Sequence, residues 1–132
     1  MATIFTKIIK GEIPSYKIAE DENFYAFLDI NPLVKGHTLV IPKKEVDYIF
    51  DLDENLIAGL NVFAKKVANA IDKSIKCIRV GVLVIGTEVP HAHIHLIPFN
   101  NEGEMNIKRT KLKLSKKEFI EIAESIKLEF NK

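Results

Sequence analysis

The segment Pro90–Pro98 has the sequence PHAHIHLIP, which sets three histidines at alternating positions. The whole chain has four histidines, so this short segment holds His91, His93 and His95, and His37 is the fourth. In a β-strand, successive side chains point to opposite faces of the sheet. The alternation therefore predicts a strand, VPHAHIHLIPF, with the three imidazoles on one face.

A row of imidazoles on one strand face suits two kinds of ligand. The intervening Ala92, Ile94 and Leu96 would pack on helices, which leaves the histidines facing a pocket or solvent. One candidate ligand is zinc, which binds neutral imidazole and needs three protein ligands in a catalytic site. The other is a phosphate, because imidazole is a nucleophile and its charge is easily tuned near neutral pH. The spacing alone leaves both possibilities open.

The composition is typical of a soluble globular protein. The chain has 132 residues, of which 47% are hydrophobic and 28% charged. A net charge of +1 creates no overall field toward nucleic acid or a membrane. A single cysteine excludes an internal disulfide, and the N-terminus lacks a signal-peptide layout. We expect one domain, residues 1–132, in the cytoplasm, with neither a membrane nor nucleic acid as its partner.

Apolar periodicity predicts three helices and five strands, in the order helix, three strands, helix, two strands, helix. The predicted segments are TIFTKIIKGEIP, YKIAED, FYAFLDI, HTLVIP, a long helix from Asp53 to about Lys73, IRVGVLVIG, VPHAHIHLIPF and a helix that begins at Ser115. The β-branched run Ile78–Gly86 is typical of a central strand, and Ser115 with Glu118 is spaced as a capping box. The predicted class is α+β with a mainly antiparallel sheet.

Three segments resemble the histidine triad family. His91–Ile97 matches its signature of three histidines alternating with apolar residues, and IFTKIIKGEIP and FLDINPLVKGHTLVIPK occur in the family's order. The chain is most similar to the Hint-like nucleotide-binding branch in its bacterial form. The resemblance implies a HIT-like fold, with a five-stranded sheet, a long central helix, a short N-terminal helix and a C-terminal helix. It also implies a homodimer joined through the long helices and neighbouring strands.

The resemblance implies a hydrolase or transferase that binds a purine nucleotide and cleaves at the α-phosphate of phosphoramidates or nucleotidyl conjugates. By position, His93 is the nucleophile, and water would release the monophosphate from a nucleotidyl-histidine. His95 would contact the phosphate and assist proton transfer, while His37 and His91 would set the tautomer and charge of the nucleophile. That chemistry needs no cofactor, so the resemblance disfavours zinc. A dinucleoside polyphosphate hydrolase and a non-catalytic nucleotide-binding protein remain alternatives.

The resemblance also assigns nucleotide-binding residues. Asp29 would accept hydrogen bonds from the ribose hydroxyls, although it is equally placed to form the turn before Asn31-Pro32. The base pocket would be lined by Ile4, Phe5, Ile8, Phe27, Ile30 and Leu39, each of which would also suit a plain core.

Two segments depart from the family pattern. Many members carry Asn-x-Gly and a Gly-rich loop ending in Gly-Gln, whereas GVLVIGTEVPH has no Asn and a shorter loop. We expect Thr87 and Glu88 on the phosphate and leaving-group side instead. The segment after the last strand is basic, and it forms either a solvated face or a rim that attracts an anionic substrate. Its cationic residues are Lys108, Arg109, Lys111, Lys113, Lys116 and Lys117.

Overall fold

A computed structural model describes residues 2–132, which form three helices and one five-stranded antiparallel sheet. The elements are α1 (Ile4–Ile9), β1 (Lys17–Glu20), β2 (Phe24–Leu28), β3 (Thr38–Pro42), α2 (Glu54–Ser74), β4 (Arg79–Leu83), β5 (Ile94–Phe99) and α3 (Lys116–Phe130), with short 3-10 helices at Ile49–Asp51 and Glu102–Met105. The strand order is β1-β2-β3-β5-β4. This architecture confirms the predicted α+β class and the HIT-like fold.

Each helix begins at the residue type that satisfies its free N–H groups. The Asp53 side chain accepts a hydrogen bond from the N–H of Leu56 and caps α2. Ser115 and Glu118 form the predicted capping box at α3. The long helix therefore lies where the sequence predicts it. Among residues 2–132, no helix is both long enough and apolar enough to cross a membrane.

Both faces of the central strands are covered. Every residue of β2 is buried, and alternate side chains belong to different clusters. Phe24, Ala26 and Leu28 face α2 and α3. Tyr25 and Phe27 face the other way, toward α1. On this second face the sheet is covered by α1 and by loops instead of by long helices. The cavity of the candidate site lies among those loops.

The prediction of a central strand at Ile78–Gly86 is wrong. β4 pairs only with β5 among the described residues, so it lies at an edge of the sheet. Its apolar side chains are not all buried, since Val82 is 63% exposed. A dense β-branched run indicates a strand, but it does not distinguish burial by helices from an open edge.

The predicted strand VPHAHIHLIPF begins later than expected, at Ile94. The backbone before it is engaged elsewhere, because the N–H of His91 bonds to Val89 O and that of Ala92 bonds to Val46 O. Only His95 of the three histidines therefore lies within β5. The apolar face is confirmed, since Ala92, Ile94 and Leu96 are buried in the core.

Candidate functional site

A cavity opens on the loop-covered face of the sheet, at the end where β2 stops and β3 begins. His37, His93 and His95 line it together with Asp29. Two further walls come from the loop that contains Thr87 and Glu88 and from the segment that contains Ile107 and Lys111. His91 is fully buried behind this cavity and belongs to the supporting structure rather than to its wall.

A glycine allows His37 to enter the site. Gly36 has a φ of +90°, and a Cβ there would collide with the side chain of Ile75. The N–H of His37 then bonds to Val34 O, and its carbonyl oxygen accepts from the N–H of Asp29. His37 is thereby held with 3% of its surface exposed, at the start of β3.

Backbone and side-chain partners define the tautomers of His37 and His95. The N–H of Leu33 donates to Nδ1 of His37 at 3.0 Å, so the neutral ring carries its hydrogen on Nε2. That Nε2 lies 2.9 Å from Nδ1 of His95 and 3.6 Å from Oδ2 of Asp29. It donates to His95, whose Nδ1 therefore accepts and whose Nε2 carries the hydrogen. His95 thus offers an N–H donor from a ring that lines the cavity.

The same reasoning gives His93 the opposite tautomer. Its Nδ1 lies 2.7 Å from the carbonyl oxygen of His91, which can only accept, so Nδ1 carries the hydrogen. The Nε2 lone pair of the neutral ring is consequently free. The ring of His91 is bonded at both nitrogens, since Nε2 donates to Pro42 O at 2.8 Å and Nδ1 lies 2.9 Å from Thr3 Oγ1.

Burial keeps the supporting histidines neutral. Desolvation, aided by the neighbouring His95, lowers the pKa of His37 to about 3. Desolvation and the charge of His93 lower the pKa of His95 to about 4. Desolvation also lowers the pKa of His91. At neutral pH this cluster therefore acts through directed hydrogen bonds rather than through positive charge.

The two carboxylate oxygens of Asp29 have different partners. Oδ1 accepts from the N–H of Asn31 at 2.8 Å and forms the expected turn. Oδ2 lies toward His37 on the cavity side. Burial raises the pKa of this carboxyl, and the nearby charge of Glu88 raises it further, while the turn hydrogen bond opposes the rise.

The expected base-pocket residues divide into buried and exposed ones. Phe5, Ile8, Phe27 and Leu39 are buried together in the cluster between α1 and the sheet. Ile30 and Ile4 are 64% and 48% exposed, and Ile30 adjoins Asp29 in the chain. Thr87 and Glu88 lie in the cavity wall, as expected.

Sequence reasoning missed three kinds of residue in this site. The backbone N–H of Leu33, which defines the tautomer of His37, leaves no signal in the sequence. Asn31 and Ile107 line the cavity but are ordinary loop residues by pattern. Lys111 belongs to the basic segment that the sequence singled out, yet alternation and charge could not show which of its cations faces the histidines.

Lys111 is the only lysine or arginine among the described residues that line the cavity. Its Nζ donates to the carbonyl oxygens of Ile107 and Arg109, and the N–H of Leu112 bonds to Pro32 O. The bond from Leu112 joins the segment to the loop that follows Asp29, and the bonds of Lys111 lie within the segment itself. The charge of Lys111 contributes to the lowered pKa values of His37 and His95.

Asp29, His37 and His95 have ligand-type atoms within 4.8 Å of one another. A metal there would need the lone pair of His37 Nε2, but this nitrogen carries the ring hydrogen because Nδ1 accepts from Leu33. Moving that hydrogen to Nδ1 would set two N–H groups against each other in a buried place. The three residues therefore do not fit a zinc ion in this arrangement.

A second hollow meets the first at His93. It runs between β4 and the segment before α2, and Tyr48, Phe50, Val82 and Val84 contribute apolar surface to it. Because His93 lines both hollows, a group bonded to its Nε2 has space on two sides.

Comparison with known proteins agrees with this architecture. Residues 10–102 match the HIT domain family. An uncharacterised HIT-like protein of Borreliella burgdorferi is 39% identical over 133 residues, which cover 95% of this chain and 96% of that protein. Adenosine 5'-monophosphoramidase of Saccharomyces cerevisiae is 39% identical over 102 residues, which cover 76% of this chain and 65% of that enzyme.

The fold is also shared with solved structures. A zinc-bound histidine triad family protein from Mycobacterium smegmatis superposes with a TM-score of 0.82 at 27% identity. The match covers 99% of this chain and 94% of that one, so it includes all three helices and the sheet.

Acidification is expected to destabilise the fold through His37. Its pKa is 6.5 when unfolded and about 3 when folded, so the unfolded chain binds a proton that the folded chain does not. Stability is therefore full above the unfolded pKa and falls as the pH drops below it. From about pH 7 to about pH 5 the loss through His37 is about 2 kcal/mol.

Urea unfolding of the wild type and of His37→Asn at these two pH values measures this loss. The variant should lose less stability on acidification, because asparagine does not titrate. An equal loss in both proteins would contradict the assignment of this pH dependence to His37.

Proposed function

The chain belongs to the HIT domain family, and from that premise we propose that it is a hydrolase or transferase that cleaves nucleoside phosphoramidates or nucleotidyl conjugates at the α-phosphate. The observation that carries the proposal is the hydrogen bond from Nδ1 of His93 to the carbonyl oxygen of His91. It leaves the Nε2 lone pair of His93 free in the cavity as a nucleophile. The relative named adenosine 5'-monophosphoramidase supports the same class of reaction.

The first step forms a bond from His93 Nε2 to phosphorus and breaks the bond from phosphorus to the leaving amine. The bound phosphate favours the charged form of nearby histidines, which raises the pKa of His95 from its value of about 4 in the free protein. His95 then gives its extra proton to the departing amine.

In the second step, water attacks phosphorus and the bond to His93 breaks. Neutral His95 takes the proton that the attacking water loses, and the nucleoside monophosphate leaves. When the monophosphate leaves, His95 releases to solvent one proton, equal to the one that it took up from solvent when substrate bound. Each cycle therefore consumes one water and returns both histidines to their starting protonation states.

A metal has no role in this proposal. The hydrogen on His37 Nε2 supports metal-free chemistry, because the set Asp29, His37 and His95 cannot bind a metal without losing the bond from Leu33.

A carboxylate on the leaving-group side favours phosphoramidates over dinucleoside polyphosphates. Glu88 lines the cavity, and its charge adds to the effect of burial in raising the pKa of Asp29. An anionic polyphosphate leaving group would be repelled there, whereas an amine leaving group would not. The alternative of a binding protein without turnover rests on the shortened loop that carries Thr87, and the first experiment below decides it.

A homodimer completes the proposal. The edge strand β4 exposes Val82, and Ile78 and Val84 on either side of the strand are exposed too. Such an edge can pair with a second copy to extend the sheet. The second hollow lies beside this edge, so a partner subunit would border the space next to His93.

We expect the wild type to release AMP from adenosine 5′-phosphoramidate in buffer containing EDTA. His93→Ala removes the nucleophile, so turnover should fall at least about a thousandfold. AMP should bind the variant with nearly the wild-type Kd, because His93 acts in bond making rather than in holding the nucleotide. Chromatography of the nucleotide products and calorimetry with AMP measure the two quantities.

Parallel assays with diadenosine polyphosphates test the alternative that the protein is a dinucleoside polyphosphate hydrolase. Near wild-type turnover by His93→Ala would overturn the nucleophile assignment. AMP binding without turnover by the wild type would favour the binding protein instead.

Asp29→Ala should weaken the binding of AMP about tenfold and that of 2′-deoxy-AMP less. Of the two ribose hydroxyls that Oδ2 would accept from, 2′-deoxy-AMP keeps only the 3′-hydroxyl. Asp29→Asn is the matched variant, since its side-chain oxygen can keep the turn bond to Asn31 while the negative charge is lost. Calorimetry with both nucleotides measures the difference. If Asp29→Ala lost the same affinity for AMP and for 2′-deoxy-AMP, Asp29 would only form the turn and would not bind the 2′-hydroxyl.

Lys111→Met should raise KM for the phosphoramidate about fivefold at low salt, the upper range for an exposed ion pair. His37 and His95 are neutral in the free site, so Lys111 supplies a fixed positive charge near the phosphate. Lys113→Met, in the same segment and exposed, is the control. The effect should shrink at high salt. Equal KM values for the two variants would contradict a role of Lys111 in substrate binding and would indicate that the basic segment is only a solvated face.

A further inference from the structure

Side chains attach the start of α1 to the histidine segment. Thr3 Oγ1 lies 2.9 Å from Nδ1 of His91, across 88 positions of sequence. Glu45 Oε1 accepts from the N–H of Thr3 at 2.9 Å and from the hydroxyl of Thr6 at 2.5 Å. We call Thr3, Thr6, Glu45 and His91 the N-terminal clasp.

The hydrogens of the clasp have one consistent arrangement. Nε2 of His91 donates to Pro42 O, so Nδ1 of the neutral ring must accept. The hydroxyl hydrogen of Thr6 is given to the Glu45 carboxylate, so it is not available to Thr3, 3.2 Å away. Because Nδ1 of His91 must accept and Thr3 Oγ1 is its contact at 2.9 Å, the hydroxyl of Thr3 directs its own hydrogen to His91.

The clasp reaches the nucleophile through the backbone of His91. The carbonyl oxygen of His91 holds Nδ1–H of His93 at 2.7 Å. Bonds at both ring nitrogens fix the orientation of the fully buried His91 side chain, and with it the carbonyl two residues before the nucleophile. The ring of Phe5, also on α1, packs edge-on against His91 and His93 at centroid distances of 5.7 and 5.1 Å.

We infer that Thr3, held by Glu45 and Thr6, is a positioning residue for His93 that acts through the tautomer and orientation of His91. The inference rests on the proposed function, because it assigns these residues to the same reaction. Loss of the Thr3 hydroxyl would leave Nδ1 of His91 without a partner in a buried place. The ring would then turn, or bind a second proton and place a positive charge beside the nucleophile.

A purely structural role for Thr3 has to be separated from this one. Its Oγ1 also accepts from the N–H of Thr6 at 3.0 Å and caps α1. Loss of a cap lowers stability, but by itself it does not alter the tautomer of a histidine on another segment.

The test compares four variants with the wild type, each with any tag at the C-terminus. Thr3→Val removes the hydroxyl at nearly constant volume, and Thr3→Ser keeps it. Glu45→Ala removes the acceptor of the Thr3 N–H and of the Thr6 hydroxyl, so Thr3 is held less firmly beside His91. Glu12→Ala removes an exposed carboxylate just beyond the other end of α1 and is the control.

We expect Thr3→Val to lower kcat for adenosine 5′-phosphoramidate at least about tenfold with KM little changed, because the loss concerns the attacking group. Glu45→Ala should lower kcat about threefold, since Thr3 keeps its hydroxyl but loses the acceptor that holds its backbone N–H. Thr3→Ser and Glu12→Ala should keep wild-type kcat. Thermal unfolding shows that each variant is folded at the assay temperature.

Nitrogen-15 NMR of the histidine rings provides the readout that a cap alone would not move. In the wild type and in Thr3→Ser, His91 should have a protonated Nε2 and an unprotonated Nδ1. Thr3→Val should change that pattern. An unchanged His91 pattern in folded Thr3→Val, or a kcat equal to that of the wild type, would overturn the inference, as would Thr3→Ser with the low kcat of Thr3→Val.

The NMR measurement also separates this inference from the proposed function. A wild type without turnover would contradict the proposed function and, with it, the role of the clasp in catalysis. The ring pattern of His91 would then still show whether Thr3 sets its tautomer, because that measurement needs no substrate.

Discussion

The pairing of β3 with β5 is the constraint on which the site depends. Its register sets Leu39 opposite His95 and Thr38 opposite Leu96. His37, one residue before this ladder, therefore meets His95 across 58 positions of sequence, with 2.9 Å between their ring nitrogens. A shift of one residue would turn His95 into the core and bring Leu96 into the cavity. The apolar partners Ile94 and Leu96, buried against the helices, prevent that shift.

That constraint explains how much of the molecule the sequence predicts. Apolar periodicity and cap residues locate α2 and α3 closely, because a helix needs only local signals at Asp53 and Ser115. The position of β4 at an edge depends on which strands pair, and a run of β-branched residues carries no such information. The late start of β5 depends on bonds from the backbone of His91 and Ala92 to distant or turn residues, which alternation cannot indicate.

The site is predictable to a similar extent. Alternating histidines and the resemblance single out the four imidazoles, but their protonation follows from partners that are mostly backbone atoms. Leu33 N–H, Pro42 O and His91 O have no side-chain signature, yet they decide which nitrogen of each ring carries a hydrogen. Lys111 shows the same limit for charge, since six cations in one segment are alike in sequence and one of them faces the cavity.

Two neutral histidines and a single lysine make the cavity responsive to what enters it. Burial lowers the pKa of His37 to about 3 and that of His95 to about 4, so these two rings are uncharged at neutral pH. Asp29 and Glu88 add negative charge to the cavity, and the pKa of Asp29 is raised by burial and, to a smaller extent, by the charge of Glu88. An entering phosphate reverses this balance, because it favours proton uptake by the histidines that surround it. The proton needed by the leaving group would thus be taken up when substrate binds, while the bond from His93 Nδ1 to the carbonyl oxygen of His91 directs Nε2 of His93 to the attack.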